Sequence, residues 1–313
     1  MLKHRLLMSA LLIPATIGLF YWDHNLGSRA PVLFWFVMAV AARCVWELVS
    51  LARIAGYQPH FASTLAATWS LILIAWAPHL ENVWGWGSRF LGSDRFGGWL
   101  VLVGAIAVLL IAHAVFRFPL GPSHLEPDDN AQAVRTPIAG REVGTLGVEF
   151  LTVIYIGAFL AITTQLRWEW NAHGYFALGA LVVATKMGDV GAYTFGRLIG
   201  GPKMTPKLSP GKTWAGGVGH LVTAGLCSVA WLCWLGPMIS ESWQSWNVAP
   251  AAGFGVVVGF AGLIGDLAES LIKRDVGVKD APALLPGFGG LLDLMDSLLL
   301  AGPVAYAMWH LLR

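Results

Sequence analysis

Charge is scarce in this sequence of 313 residues: Lys, Arg, Asp and Glu together make up 12%, against 56% hydrophobic residues. A soluble domain carries about 25% charged residues, so the composition excludes an ordinary soluble enzyme. Cysteine is nearly absent as well. Cys44, Cys227 and Cys233 are the whole set, each inside an apolar run. That excludes a disulfide framework or a Cys-x-x-Cys metal site and leaves buried free thiols. No internal repeat or low-complexity tract is visible. The net charge of +2 calls for no nucleic-acid partner.

What is abundant is apolar sequence in windows of about 20 residues, the length needed to cross a bilayer. The chain reads as an all-α, polytopic membrane bundle with nine spans, near 5–22, 32–53, 63–79, 98–116, 144–165, 174–196, 215–237, 250–272 and 291–311. The first is a span and not a leader, because Pro14 interrupts its centre and no small-x-small cleavage site follows. The polar stretch 117–143, rich in Pro, Gly and mixed charge, reads as a loop dividing a scaffold (1–143) from a catalytic region (144–313). With nine spans and the N-terminus inside, Lys3, Arg5, Arg53, Arg117, Arg135, Arg141, Arg197, Lys203, Lys207, Lys212, Lys273, Arg274 and Lys279 fall on the cytoplasmic side. Only Arg29, Arg89, Arg95, Arg167 and Arg313 fall opposite. That asymmetry implies a cytoplasmic N-terminus and an external C-terminus.

Against so apolar a background, the few clustered charges are costly and mark function. Lys186, Asp189 and Tyr193, at i, i+3 and i+7, share one helix face and suggest a site wall; the plainer alternative is an ion pair that settles the helix. The segment from Gly200 to Thr213 carries Lys203, Lys207, Ser209, Lys212 and Thr213 just before a helix start, where exposed amides favour phosphate. Its Gly-Lys-Thr is not a nucleotide-binding P-loop: Pro206 stands at the first glycine and no strand precedes it. Asp266, Glu269 and Ser270 share a face near the end of the eighth span, and Asp293 and Asp296 share one at the start of the ninth. A hairpin-like connection brings these carboxylates to one depth, where they repel unless a divalent cation or basic partners such as Lys273 and Arg274 neutralise them. Basic groups suit phosphates and clustered carboxylates suit a cation, so the set implies metal-assisted phosphoryl or nucleotidyl chemistry at a membrane surface. Arg43 and Glu47, at i and i+4, read as a self-satisfying ion pair. His113 and His220 read as structural.

The 270–296 segment resembles the signature of the phosphatidate cytidylyltransferase family at Ser270, Lys273, Arg274, Lys279, Asp280, Pro286, Gly289, Gly290, Asp293 and Asp296. Asp189-x-Gly-Ala-Tyr193-x-x-Gly196-Arg197, Ser209-Pro210-x-Lys212-Thr213-Trp214 and Gly265-Asp266-x-x-Glu269-Ser270 are similar to that family too. Pro282, Phe288 and Leu294 depart from the signature, where the family has a small residue, His and Arg. The resemblance implies CDP-diacylglycerol and pyrophosphate made from CTP and phosphatidate, at the cytoplasmic face of the inner membrane. The implied catalytic set is Asp189, Lys273, Arg274, Lys279 and Asp280. Substrate would be held by Arg197, Lys203, Lys207, Ser209, Lys212, Thr213 and Ser270. Mg²⁺, with room for a second cation, would lie on Asp266, Glu269, Asp293 and Asp296. A homodimer is compatible with this reading, as are a related enzyme acting on another lipid phosphate or alcohol and a non-catalytic lipid-binding relative.

Overall fold

The computed structural model describes residues 2–27, 29–80, 95–117, 141–169, 174–239, 245–278 and 289–312. The loop expected at 117–143 lies largely outside these residues, as do Lys279, Asp280, Pro282, Pro286 and Phe288. The described chain forms nine helical segments: α1 (Leu2–Asn25), α2 (Pro31–Ile54), α3 (Phe61–Trp76), α4 (Arg95–Arg117), α5, α6 (Gly174–Leu198), α7, α8 (Val248–Asp275) and α9 (Leu291–Leu311). Two are compound. α5 runs through Arg141–Thr152, a π-helical turn Val153–Ala158 and Phe159–Gln165. α7 runs through Trp214–Val229, a π-helical turn Ala230–Leu235 and Gly236–Ile239. Every expected span has its helix. In lipid each backbone amide must be satisfied within its own segment, so long apolar runs have little choice but to be helical. Among the described residues, six helices are long and apolar enough to cross a membrane by length and composition alone. The protein is a multi-pass helical membrane protein.

One element departs from the all-α expectation. β1 (Lys203–Thr205) and β2 (Ser209–Thr213) pair antiparallel, Lys203 opposite Thr213 and Thr205 opposite Ser209. The loop between α6 and α7 is therefore a hairpin. The chain leaves α6 through Gly200 and Gly201, both at positive φ (68° and 96°), a conformation glycine adopts without a Cβ clash. It enters α7 at Thr213, whose hydroxyl accepts from the Gly216 amide at 3.1 Å and caps the helix. The hairpin is thus held between two helix ends.

The core draws on both halves of the chain: Val37, Ala41, Val45 and Leu48 of α2 share one buried cluster with Ala177, Leu181 and Ala184 of α6, Phe254 and Val258 of α8, and Leu299 and Trp309 of α9. Small residues let the site-bearing helices approach closely, as expected where lipid offers no hydrophobic drive to association. At Gly265 a Cβ would stand 2.5 Å from the Asp296 carbonyl oxygen. The α8 and α9 backbones therefore touch beside Asp266 and Asp296. Asp23, fully buried at the end of α1, accepts from the amides of Val32 (2.6 Å) and Leu33 (3.2 Å) and so caps α2.

Candidate functional site

The last two turns of α6, the hairpin, the start of α7 and the middle of α8 enclose a cleft of about 420 Å³. α6 contributes Asp189, Tyr193 and Arg197, the hairpin Lys212 and Thr213, α7 His220, and α8 Asp266. Lys212 Nζ lies 2.8 Å from Asp266 Oδ2, joining the hairpin to α8 within the cleft lining. Arg197 donates to the Tyr193 hydroxyl at 2.7 Å on the exposed rim. At the back, His220 is buried; its Nε2 donates to the Gly259 carbonyl at 2.9 Å while Nδ1 faces Asp189 at 3.7 Å. The sequence reading of His220 as structural fits the bond to Gly259 and overlooks the cleft. The wall expected from Lys186, Asp189 and Tyr193 divides: Asp189 and Tyr193 line the cleft, while Lys186 turns inward.

Lys186 Nζ donates to the Leu294 carbonyl at 3.1 Å and to Ser297 Oγ at 2.8 Å on α9, and lies 3.6 Å from Asp189. The ion pair read as the plainer alternative is present, and it is the longest of these three contacts. Asp296, buried near Ser297, lies within electrostatic reach of Asp266, Lys186 and Asp189.

A second cluster sits one turn further along α8. Lys273 Nζ lies 2.7 Å from Glu269 Oε2 and 2.6 Å from Asp293 Oδ1, with its side chain only 13% exposed. One lysine thus matches two carboxylates from two helices. Asp293 Oδ2 also accepts from the Gly290 amide at 2.8 Å. Arg274 points elsewhere: its Nε donates to the Leu208 carbonyl at 3.4 Å, tying α8 to the hairpin.

The four carboxylates expected at one depth are therefore apportioned. Glu269 and Asp293 share Lys273, Asp266 faces Lys212, and Asp296 lies between Asp266 and Lys186. Among the described residues, no three His, Cys, Asp or Glu side chains converge as a metal site by themselves. Lys203, Lys207 and Ser209 lie on the hairpin, outside the cleft lining, with both lysines exposed to solvent. Ser270 sits half-buried on α8 between the two clusters. Lys279 and Asp280 lie outside the described residues.

Arg43 and Glu47 form the expected pair at 2.8 Å. The pair is not self-contained, however. Glu47 also accepts from the amides of Leu291 (2.9 Å) and Leu292 (2.8 Å), so α2 caps the start of α9. An acidic residue inside an apolar span was the available signal; its partner lies 244 residues away and leaves no local trace.

Fold and site together define a multi-pass helical membrane protein with a charged cleft bordered by a basic hairpin. A family model described as the cytidylyltransferase family matches residues 3–312, and the chain belongs to that family. It is 28% identical to the phosphatidate cytidylyltransferase of Pseudomonas aeruginosa over 98% of this chain and 97% of that protein. Over shorter stretches it is 35% identical to the phosphatidate cytidylyltransferase of Brucella melitensis (49% of this chain, 54% of that one). It is also 40% identical to an uncharacterized Escherichia coli protein, YnbB, over 40% of each chain. In these last two the match spans about half or less of the relative's own length.

Proposed function

We propose that this protein transfers the cytidylyl group of CTP to phosphatidate, giving CDP-diacylglycerol and pyrophosphate, at the cytoplasmic face of the inner membrane. The observation that carries the reading is the cleft, where Lys212 and Arg197 face Asp189 and Asp266 at the border between α6, α8 and the hairpin. One substrate is a soluble polyanion and the other a lipid, so a site at helix ends beneath a basic hairpin serves both. The charge asymmetry of the loops supports a cytoplasmic N-terminus and hairpin.

In this reading an oxygen of the phosphatidate phosphomonoester attacks the α-phosphorus of CTP. The bond to the β-phosphate breaks, and its electron pair leaves with pyrophosphate. The nucleophile is already anionic, so the protein needs no strong base; its task is alignment and charge stabilisation. Lys212, released from Asp266, would turn onto the triphosphate, and the α7 amides behind Thr213 would favour the same charge. Arg197, exposed at the rim, would take the lipid phosphate. Mg²⁺ enters as part of the substrate, on the triphosphate, and there neutralises phosphate charge. Such an ion needs only one or two protein carboxylates, so a three-ligand cage is not required. Asp266, on the cleft lining, and Asp296, buried behind it within its electrostatic reach, are the carboxylates we assign to it. Glu269 and Asp293 hold Lys273 in place.

The test is product formation by purified protein given labelled CTP, Mg²⁺ and a panel of lipid phosphates and lipid alcohols. CDP-diacylglycerol from phosphatidate is the expected product. Product from another lipid alone would reassign the acceptor, and no product from any lipid would remove the enzymatic reading.

A further inference from the structure

We propose that Glu47, in the half of the chain that reads as scaffold, is a positioning residue that sets the start of α9 and through it the site carboxylates. The functional part of this inference rests on the cytidylyltransferase reading above. The first amides of any helix lack partners within the helix. At α9 the Leu291 and Leu292 amides donate to Glu47 Oε1 and Oε2 at 2.9 and 2.8 Å, and Arg43 Nε donates to Oε1 at 2.8 Å. Glu47 is fully buried, so this carboxylate stays where the protein puts it. The next links are equally short. The Gly290 amide donates to Asp293, Asp293 holds Lys273 at 2.6 Å, and Lys273 holds Glu269. Asp296 follows one turn later.

A second consequence follows from charge. A helix start with free amides attracts phosphate. In a site meant for two phosphate-bearing substrates, an open α9 start would compete with the hairpin. Glu47 fills it with a fixed carboxylate, so the phosphates are directed to Lys212 and Arg197.

The test uses the full chain in detergent or lipid, comparing wild type with Glu47→Gln and Leu291→Pro. Glu47→Gln removes the charge and one of two acceptors at little change in volume. It should speed amide exchange over 291–296 about tenfold, and lower kcat about tenfold with KM for CTP within about twofold of wild type. Leu291→Pro deletes one donated amide while suiting the helix: Pro is favoured at the first helical position, and Gly290 already has the extended conformation (φ −77°, ψ 166°) that a residue before Pro requires. It should lower kcat by a smaller factor, again without moving KM. Wild-type exchange over 291–296, or wild-type kcat, in folded Glu47→Gln overturns the inference. If Glu47→Gln fails to fold, an unchanged kcat in Leu291→Pro overturns it. If the wild type makes no CDP-lipid, the functional reading falls, and the exchange comparison in either folded variant still decides whether the clamp exists.

Discussion

Removing the Lys273 ammonium should be among the most damaging single changes in this protein, and the size of the effect can be worked from the geometry. Lys273→Met keeps the length of the side chain and its apolar stem but deletes the charge. The Glu269 and Asp293 oxygens it touches, at 2.7 and 2.6 Å, stand within roughly 5 Å of one another. At an effective dielectric of about 20, two unit charges at that separation repel by about 3 kcal/mol. Breaking a buried pair by deleting one partner typically costs about 3–5 kcal/mol, which agrees. Both carboxylates are well shielded, at 2% and 17% exposure, so solvent screening relieves little of this. The variant should therefore lose about 3 kcal/mol in chemical unfolding in detergent, read by intrinsic tryptophan fluorescence. Adding Glu269→Gln should restore at least half of the loss, because it removes one member of the repelling pair. A single variant within about 1 kcal/mol of wild type, with no rescue by Glu269→Gln, would refute the assignment of Lys273 as the shared counter-ion.

Three further outcomes are expected. Lys212→Ala should weaken binding of a non-hydrolysable CTP analogue about ten- to a hundredfold, the worth of one charge-assisted phosphate contact, while leaving lipid binding nearly unchanged; equal affinity by calorimetry would reduce the hairpin to a topological marker. Asp296→Asn should lower turnover by more than about a hundredfold and flatten its Mg²⁺ dependence in a folded protein, since loss of one electrostatic contact to developing charge costs about 3–4 kcal/mol; near-wild-type rates in Mg²⁺ would remove Asp296 from the site. A chain with nine spans and an internal N-terminus would place residue 313 outside, so an alkaline phosphatase fusion there should be active and a cytoplasmic reporter silent; the reverse pattern would break the span count.

The spans were legible because bilayer thickness and backbone hydrogen bonding leave apolar runs one solution. Asp189, Arg197, Lys212, Thr213 and Asp266 were legible because charge and hydroxyls stand out against apolar surroundings, and the structure brings them to one cleft. The hairpin was not. Its strands are three and five residues long, and Pro210 and Gly211 within β2 obscure any alternation. Which carboxylate meets which lysine was not legible either. Helical spacing shows that Glu269 and Lys273 share a face, at i and i+4, but says nothing of Asp293 arriving from α9 on the same ammonium. Glu47 shows the limit most clearly: the local pair with Arg43 was readable, and the more consequential contacts to Leu291 and Leu292 depend on tertiary structure.

The departure at Leu294 gains a physical meaning from the same network. Where the resembling signature has a guanidinium, this chain has an apolar side chain, yet the turn is not left without a cation. Lys186 reaches it from α6, donating to the Leu294 carbonyl and to Ser297, and it lies near enough to Asp296 and Asp189 to offset their mutual repulsion. The three lysines of the site then play parallel parts. Lys186 joins α6 to α9, Lys212 joins the hairpin to α8, and Lys273 joins α8 to α9. Each meets at least one carboxylate before any ligand arrives, and two of them are shared: Lys273 by Glu269 and Asp293, Lys186 by Asp189 and Asp296. In the proposed reaction, Mg²⁺ with CTP would bring cation and anion together, and would exchange with such pairs without leaving a bare charge at either end. A site made of unmatched carboxylates would have to wait for its metal in order to hold its shape. In this one, both members of the Lys212–Asp266 pair line the cleft, so it is the pair placed to exchange in the proposed reaction, while Lys186 and Lys273 keep α6, α8 and α9 aligned around it.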